Sequence, residues 1–151
     1  MTDTTVTDKI VSSLLGDSDI ASLIGDRVFA ASSFGVREET TGNLSVPATP
    51  YLSWIETSAF LHQEVRETAA SSHRYFQIFI YDDIGVIVRI NKLLKLIRDA
   101  MLSLEPFVVA DDGLCLEVIP IDNTGLISDP EMQQHCRAIT LRVKVNDRVI
   151  S

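Results

Sequence analysis

The clearest hydrophobic pattern in the chain runs from Asp83 to Leu104 and has the spacing of a helix. At about 100° per residue, its apolar residues fall on one stripe and its charged residues elsewhere. Asp82 or Asp83 is expected to cap the first turn, because a carboxylate accepts free backbone N–H groups there. Proline disfavours helix in the residue before it, so Glu105-Pro106 ends the helix. The predicted helix is about 30 Å long. The stripe consists of Val86, Ile90, Leu93, Leu94, Ile97, Met101 and Leu104.

Two shorter helices are predicted before it. The first opens at Thr7 or Asp8 and ends at Gly16, and the second opens within 17–19 and ends at Gly25. Asp and Thr are good first-turn capping residues, and glycine is the commonest terminator. The predicted apolar faces are Ile10, Val11, Leu14 and Leu15 in the first helix and Ile20, Leu23 and Ile24 in the second.

Strands are predicted at 51–56, 73–81, 114–121 and 135–146. Segment 26–29 and segment 105–109 are short extended pieces, 122–131 is a loop, and 57–72 fits either a hairpin arm or an irregular segment. This order predicts one α+β domain over residues 1–151. Its sheet is mixed, largely antiparallel and of about four to five strands, with two N-terminal helices and one long central helix packed on it. The expected core is Leu14, Ile20, Leu23, Ile78, Ile80, Ile90, Leu94, Ile97, Leu116, Val118, Leu141 and Val143.

The segment from Ala30 to Pro50 has no periodicity and is rich in Ser, Thr, Gly and Pro. A structureless connection of about 20 residues is uncommon inside a compact domain. It is either a flexible surface loop or an arm that orders against a partner. The second alternative is suggested by apolar and charged anchors, which are Phe34, Val36, Arg37, Leu44 and Val46.

Composition and charge exclude several classes of function. The net charge is −8, which opposes tight binding of nucleic acid. The N-terminus lacks a signal-peptide pattern and no apolar run is long enough to span a membrane, so a soluble, cytoplasmic protein is expected. Cys115 and Cys136 are interpreted as buried hydrophobic residues. No nucleotide-binding or hydrolase motif occurs, and the three histidines lack metal-ligand spacing. We therefore expect no enzyme activity, cofactor or metal.

More apolar surface is present than one layer of helices can bury on one sheet. The surplus residues are Tyr75, Phe79 and Tyr81 on the strand at 73–81, and Val88, Leu96 and Leu102 on the long helix. Either loops of the chain cover them or another subunit does, and contact between subunits is the preferred interpretation.

The order of elements resembles a known family. It comprises "DIASLIGDRVF" at the end of a helical pair, "PYLSW", the aromatic strand "HRYFQIFIYDD" before a long helix, and the last strand "CRAITLRVKV". From about Thr7 to Asn146, this arrangement resembles the tail terminator proteins of long-tailed bacteriophages, which complete the tail and join it to the head.

The resemblance implies a virion protein assembled in the host cytoplasm. Its copies would form a hexameric ring that caps the tail tube, stops its polymerisation and meets the head–tail connector or neck protein. DNA would pass through the ring without specific binding, and no catalytic residue is implied. The alternatives are another neck or tube subunit, such as a head–tail stopper, and a small cytoplasmic α+β enzyme.

Overall fold

Three helices lie on one face of a mixed β-sheet in the computed structural model, which describes residues 5–30, 48–61, 71–83, 85, 87–111, 113–123, 125–129 and 134–146. The elements are α1 Val6–Gly16, α2 Ser18–Ile24, β1 Val28–Ala30, β2 Tyr51–Leu61, β3 Ser71–Asp83, α3 Ile87–Leu102, β4 Phe107–Val109, β5 Gly113–Asn123, β6 Ile127–Asp129 and β7 Gln134–Asn146.

Within the described residues the sheet has seven strands, in the order β1-β2-β3-β7-β5-β4. Strand β6 pairs with the first three residues of β7, on the edge that β5 occupies further along. Strands β1 and β2 are parallel and the other pairs are antiparallel. The α+β class is confirmed, but the expected sheet of four to five strands was too small. Strands β1, β4 and β6 have three residues each, too few to show an alternating pattern.

The β2–β3 hairpin is longer than the alternation indicated. Its pairing continues from Tyr51 opposite Tyr81 to Leu61 opposite Ser72, with a register shift between Glu56 and Ser58. Such a bulge inserts one extra residue and breaks the period of two, which is why the predicted strand ended at Glu56. Of the two interpretations of 57–72, the hairpin is the one observed where the structure describes the segment, because 58–61 pair with 72–75. Residues 62–70 lie outside the described part.

Both N-terminal helices are capped by a Thr or Asp side chain, but the cap of α1 is Thr5 and not the predicted Thr7 or Asp8. In α1 the Thr5 hydroxyl accepts from the Asp8 N–H (3.0 Å), and the Asp8 carboxylate accepts from the Thr5 N–H (3.2 Å). This capping box satisfies two otherwise free donors and starts the helix slightly earlier than predicted. Helix α2 is capped by Asp17 and closed by Gly25, which has a φ of 63°. On α1, Leu15 is more exposed than expected, at 36%.

Helix α3 is shorter than predicted at its start. Asp82 and Asp83 belong to β3 rather than to a helix cap. The Asp82 carboxylate instead accepts hydrogen bonds from Nε and Nη2 of Arg89, both at 2.5 Å. Val86, which was placed in the apolar stripe, lies outside the described residues.

The core is one cluster between the helices and the sheet. Leu23 is only half-buried against it, and the Leu116 side chain is not described. Both cysteines are buried, as expected, and they form no disulfide with each other. The other predicted core residues are all buried: Leu14, Ile20, Ile78, Ile80, Ile90, Leu94, Ile97, Val118, Leu141 and Val143.

Candidate subunit interface

The outer side of α3 carries a stripe of exposed residues, which we call the ridge: Val88, Asn91, Lys95, Arg98 and Leu102. They recur every three or four positions and therefore line one side of the helix. Val88 is 82% exposed and Leu102 is 60% exposed. These apolar residues lie near the two ends of α3, with the two cations between them. The ridge thus combines solvent-facing apolar surface with positive charge.

A groove of about 550 Å³ lies beside the other flank of α3, where the end of α1 and the start of α2 meet it. Asp17, Asp19 and Asp99 contribute carboxylates to its lining, and Leu96 and Leu104 contribute apolar surface. We call it the acidic groove. Leu96 was expected to be surplus surface, but it is half-buried against the core and also lines this groove.

The sheet face opposite the helices, here the far face, holds an aromatic cluster at its β1–β2–β3 side. Tyr81 stacks on Tyr51 with ring centroids 4.9 Å apart, and Phe79 lies 6.4 Å from Tyr81. Phe29 meets Tyr51 edge-on at 6.2 Å. Sequence alternation identified Phe79 and Tyr81, but it missed Tyr51 and Phe29, which reach the cluster from β2 and β1.

Much of this cluster is enclosed within the chain itself. Tyr51 is 0% exposed, and its hydroxyl donates to Oε1 of Gln134 at 2.8 Å. Ser53 is also fully buried, and its Oγ has no hydrogen-bond partner among the residues that the structure describes. Tyr75, Phe79 and Tyr81 are half-buried. The far face near Tyr51 therefore offers less free apolar surface than the ridge does.

The six described interface candidates do not form one surface. Tyr75, Phe79 and Tyr81 project to the far face, whereas α3 packs on the opposite face through residues such as Ile90 and Ile97. A partner that contacts Val88 and Leu102 meets a different side of the molecule from one that contacts the aromatic cluster. The remaining candidates, Phe34, Val36, Arg37, Leu44 and Val46, lie outside the described residues.

A polar cluster joins the end of β3 to the start of α3. Asp82 is 0% exposed, and the Arg89 side chain that binds it is 36% exposed. Hydrogen bonding to Asp82 raises the pKa of the Arg89 guanidinium, against a smaller effect of burial. On the adjacent strand, His135 lies opposite Asp82, and its Nδ1 is 3.0 Å from Oγ of Ser128.

This cluster has the features of a structural support. The Asp82 carboxylate is held by Arg89, and the hydroxyl of Ser128 contacts Nδ1 of the histidine rather than Nε2. A serine nucleophile is normally activated through Nε2 while a carboxylate holds Nδ1, so this arrangement does not match that geometry. Among the described residues, no group of three His, Cys, Asp or Glu side chains is arranged to hold a metal ion. In the same part of the chain, no helix has the length and apolar character to cross a membrane.

Comparison with known proteins is informative about the fold. The sequence matches no protein-family model, and no curated protein is significantly similar to it. A chain in the solved structure described as "Virion of native gene transfer agent (GTA) particle" aligns with 91% of this chain and 91% of its own length, at a TM-score of 0.67. The two chains share a fold. Their sequences are 14% identical, so the likeness concerns architecture alone.

Proposed function

We propose that this protein is a structural component of a phage-like virion. The observation that carries the proposal is the fold likeness to a chain of a gene transfer agent virion, which extends over nine-tenths of both chains. The likeness includes the whole arrangement rather than one helix or hairpin, because little of either chain is left outside it. A structural role also agrees with the polar cluster at Asp82 and Arg89, which connects elements instead of forming a reactive centre.

Within that class we propose a tail terminator. In this role, six copies form a ring that caps the tail tube, ends its polymerisation and joins the tail to the neck. The order of elements from about Thr7 to Asn146 supports this assignment, as do exposed apolar residues such as Val88 and Leu102. The net charge of −8 agrees with a ring through which DNA passes, since a negative wall does not hold a polyanion.

The same fold likeness equally favours another neck or tube subunit, because the solved structure is described by its particle and not by the role of the chain. The two functions differ in how assembly ends. A tube subunit adds to itself without limit, whereas a terminator forms a closed ring and stops tube growth.

The test uses the purified full-length chain and tail tubes assembled without it. Electron microscopy and mass measurement of the chain alone should show closed rings and no filaments. When the chain is added, it should bind one end of each tube and prevent further addition of tube protein. The Asp111→Lys variant, altered at an exposed turn, should behave like the wild type. Open-ended filaments would favour the tube subunit, and failure to associate with any tail or particle would refute the virion function.

A further inference from the structure

The ridge and the acidic groove are complementary surfaces on the same chain. The ridge carries Lys95 and Arg98 between two exposed apolar residues. The groove is lined by three aspartates together with Leu96 and Leu104. Among the described residues, neither Lys95 nor Arg98 makes an ion pair with the remainder of the chain. The ridge presents positive charge on a chain with a net charge of −8, and another copy of the chain is a partner with matching acidic surface.

We infer that two copies of this chain contact each other head to tail, with the ridge of one copy docked in the acidic groove of the next. This contact specifies which surfaces meet between neighbours in the proposed ring. It rests on the proposed function, because that function requires copies of the chain to assemble. Lys95 and Arg98 meet the carboxylates at Asp17, Asp19 and Asp99 of the neighbour. Val88 and Leu102 add apolar contacts, and removing apolar surface from water supplies most of the driving force in such interfaces.

The positions of the two surfaces favour a head-to-tail arrangement. On a helix of 3.6 residues per turn, the ridge and the α3 residues of the groove are centred roughly 120° apart around the axis. One copy therefore presents its ridge to one neighbour and its groove to another. A contact between two different surfaces is heterologous, and repetition of such a contact produces a ring or a filament.

A symmetric contact of ridge against ridge is disfavoured by charge. It would bring Lys95 and Arg98 of one copy against the same residues of its neighbour. Juxtaposed like charges at an interface are costly, whereas opposite charges steer association and set orientation. The charge pattern therefore distinguishes the two arrangements, and charge reversal can test them.

The experiment compares four forms of the full chain by mass measurement in solution. The ridge variant is Lys95→Glu/Arg98→Glu, and the groove variant is Asp19→Lys/Asp99→Lys. The control is Asp26→Lys/Asp111→Lys, which makes the same charge change as the groove variant at exposed acids outside both surfaces. Circular dichroism of each form verifies that the helices are retained.

Each reversed variant alone should associate at least ~100-fold more weakly than the wild type, since like charges then face each other. An equimolar mixture of the two should recover assembly, because each reversed surface meets a reversed partner. The control should assemble like the wild type. Added salt should weaken the wild-type contact by screening these charges.

Several outcomes would overturn the inference. They are a groove variant that assembles like the wild type, a mixture that stays monomeric while the wild type assembles, and a wild type that stays monomeric at every concentration. Duplex DNA that binds the wild type but not the ridge variant would instead make the ridge a nucleic-acid surface. Incorporation of the wild type into particles is measured separately. If that succeeds while self-assembly fails, the head-to-tail contact is wrong and the virion function stands.

Discussion

The contact between Asp82 and Arg89 gives the sharpest test of how α3 is held on the sheet. Replacing Arg89 by Met keeps a long side chain and leaves the fully buried Asp82 carboxylate without its cation. Removing one partner of a buried pair costs about 3–5 kcal/mol, whereas exposed pairs contribute about 0–1 kcal/mol. Because the Arg89 side chain is 36% exposed, solvent screening places the effect at the lower end of the range for buried pairs. We expect the free energy of unfolding to fall by about 3 kcal/mol.

For a chain of this size, the melting temperature should fall by roughly 6–12 °C, at about 2–4 °C per kcal/mol. Urea denaturation followed by circular dichroism measures the free energy directly. The matched control is Lys92→Met, which also replaces a cation by methionine at an exposed site on the same helix, outside the ridge and the acidic groove. It should alter stability by at most about 0.5 kcal/mol.

A double variant, Asp82→Asn/Arg89→Met, removes both charges and should recover part of the loss. With the single variants Asp82→Asn and Arg89→Met it completes a double-mutant cycle. The coupling energy from this cycle measures the pair itself and is typically about 0.5–3 kcal/mol for contacting residues. Equal stabilities of Arg89→Met and Lys92→Met would refute the conclusion that this contact fixes α3.

Four further predictions concern the core, the far face, segment 30–50 and the net charge. Leu94→Ala should lower the free energy of unfolding by about 2–5 kcal/mol, because a core side chain that is 8% exposed is lost; an unchanged denaturation midpoint would contradict its placement. Ser53→Ala should raise that free energy by about 1 kcal/mol, since it removes a buried hydroxyl that has no partner in the described part of the chain; lower stability would show that the hydroxyl is satisfied. Deleting Gly35 to Ser45 should leave the melting temperature nearly unchanged but abolish attachment to tails, if 30–50 is a partner-binding arm; normal attachment would make it a spacer. The wild type should bind duplex DNA weakly at about 150 mM salt. Tight binding in a filter assay would contradict the conclusion that the net negative charge opposes binding of nucleic acid.

Long periodic elements were predictable because many residues repeat the same pattern. Helix α3 shows its buried stripe over several turns, and β3 and β7 alternate over most of their length. The three-residue strands were not recognisable as strands of the sheet, because so few residues carry no detectable period. Asp82 was misassigned as a helix cap for a physical reason. A carboxylate before a helix can bind backbone N–H groups or a side chain of the helix, and only the fold determines which of these partners it binds.

The candidate interface was predictable only in part. Solvent-facing apolar residues at Val88 and Leu102 follow directly from helical spacing. The partners of Tyr81 do not, because Tyr51 and Phe29 reach it through strand pairing that is non-local in sequence. Leu96 sits at the margin of the buried stripe, where packing of α1 and α2 decides its exposure.

The central position of β7 has a consequence for the order in which the fold forms. This strand pairs along its whole length with β3, and on its other edge it holds both β5 and β6. In the chain it follows all of them, and α3, β4, β5 and β6 intervene between β3 and β7. During synthesis on the ribosome, the β2–β3 hairpin and the helices therefore emerge before the strand that completes their sheet. Pairing of such distant segments is slow because loop closure must precede the gain from contacts. Until β7 arrives, one edge of β3 remains unpaired, and the newly made chain is at its most susceptible to aggregation during that interval.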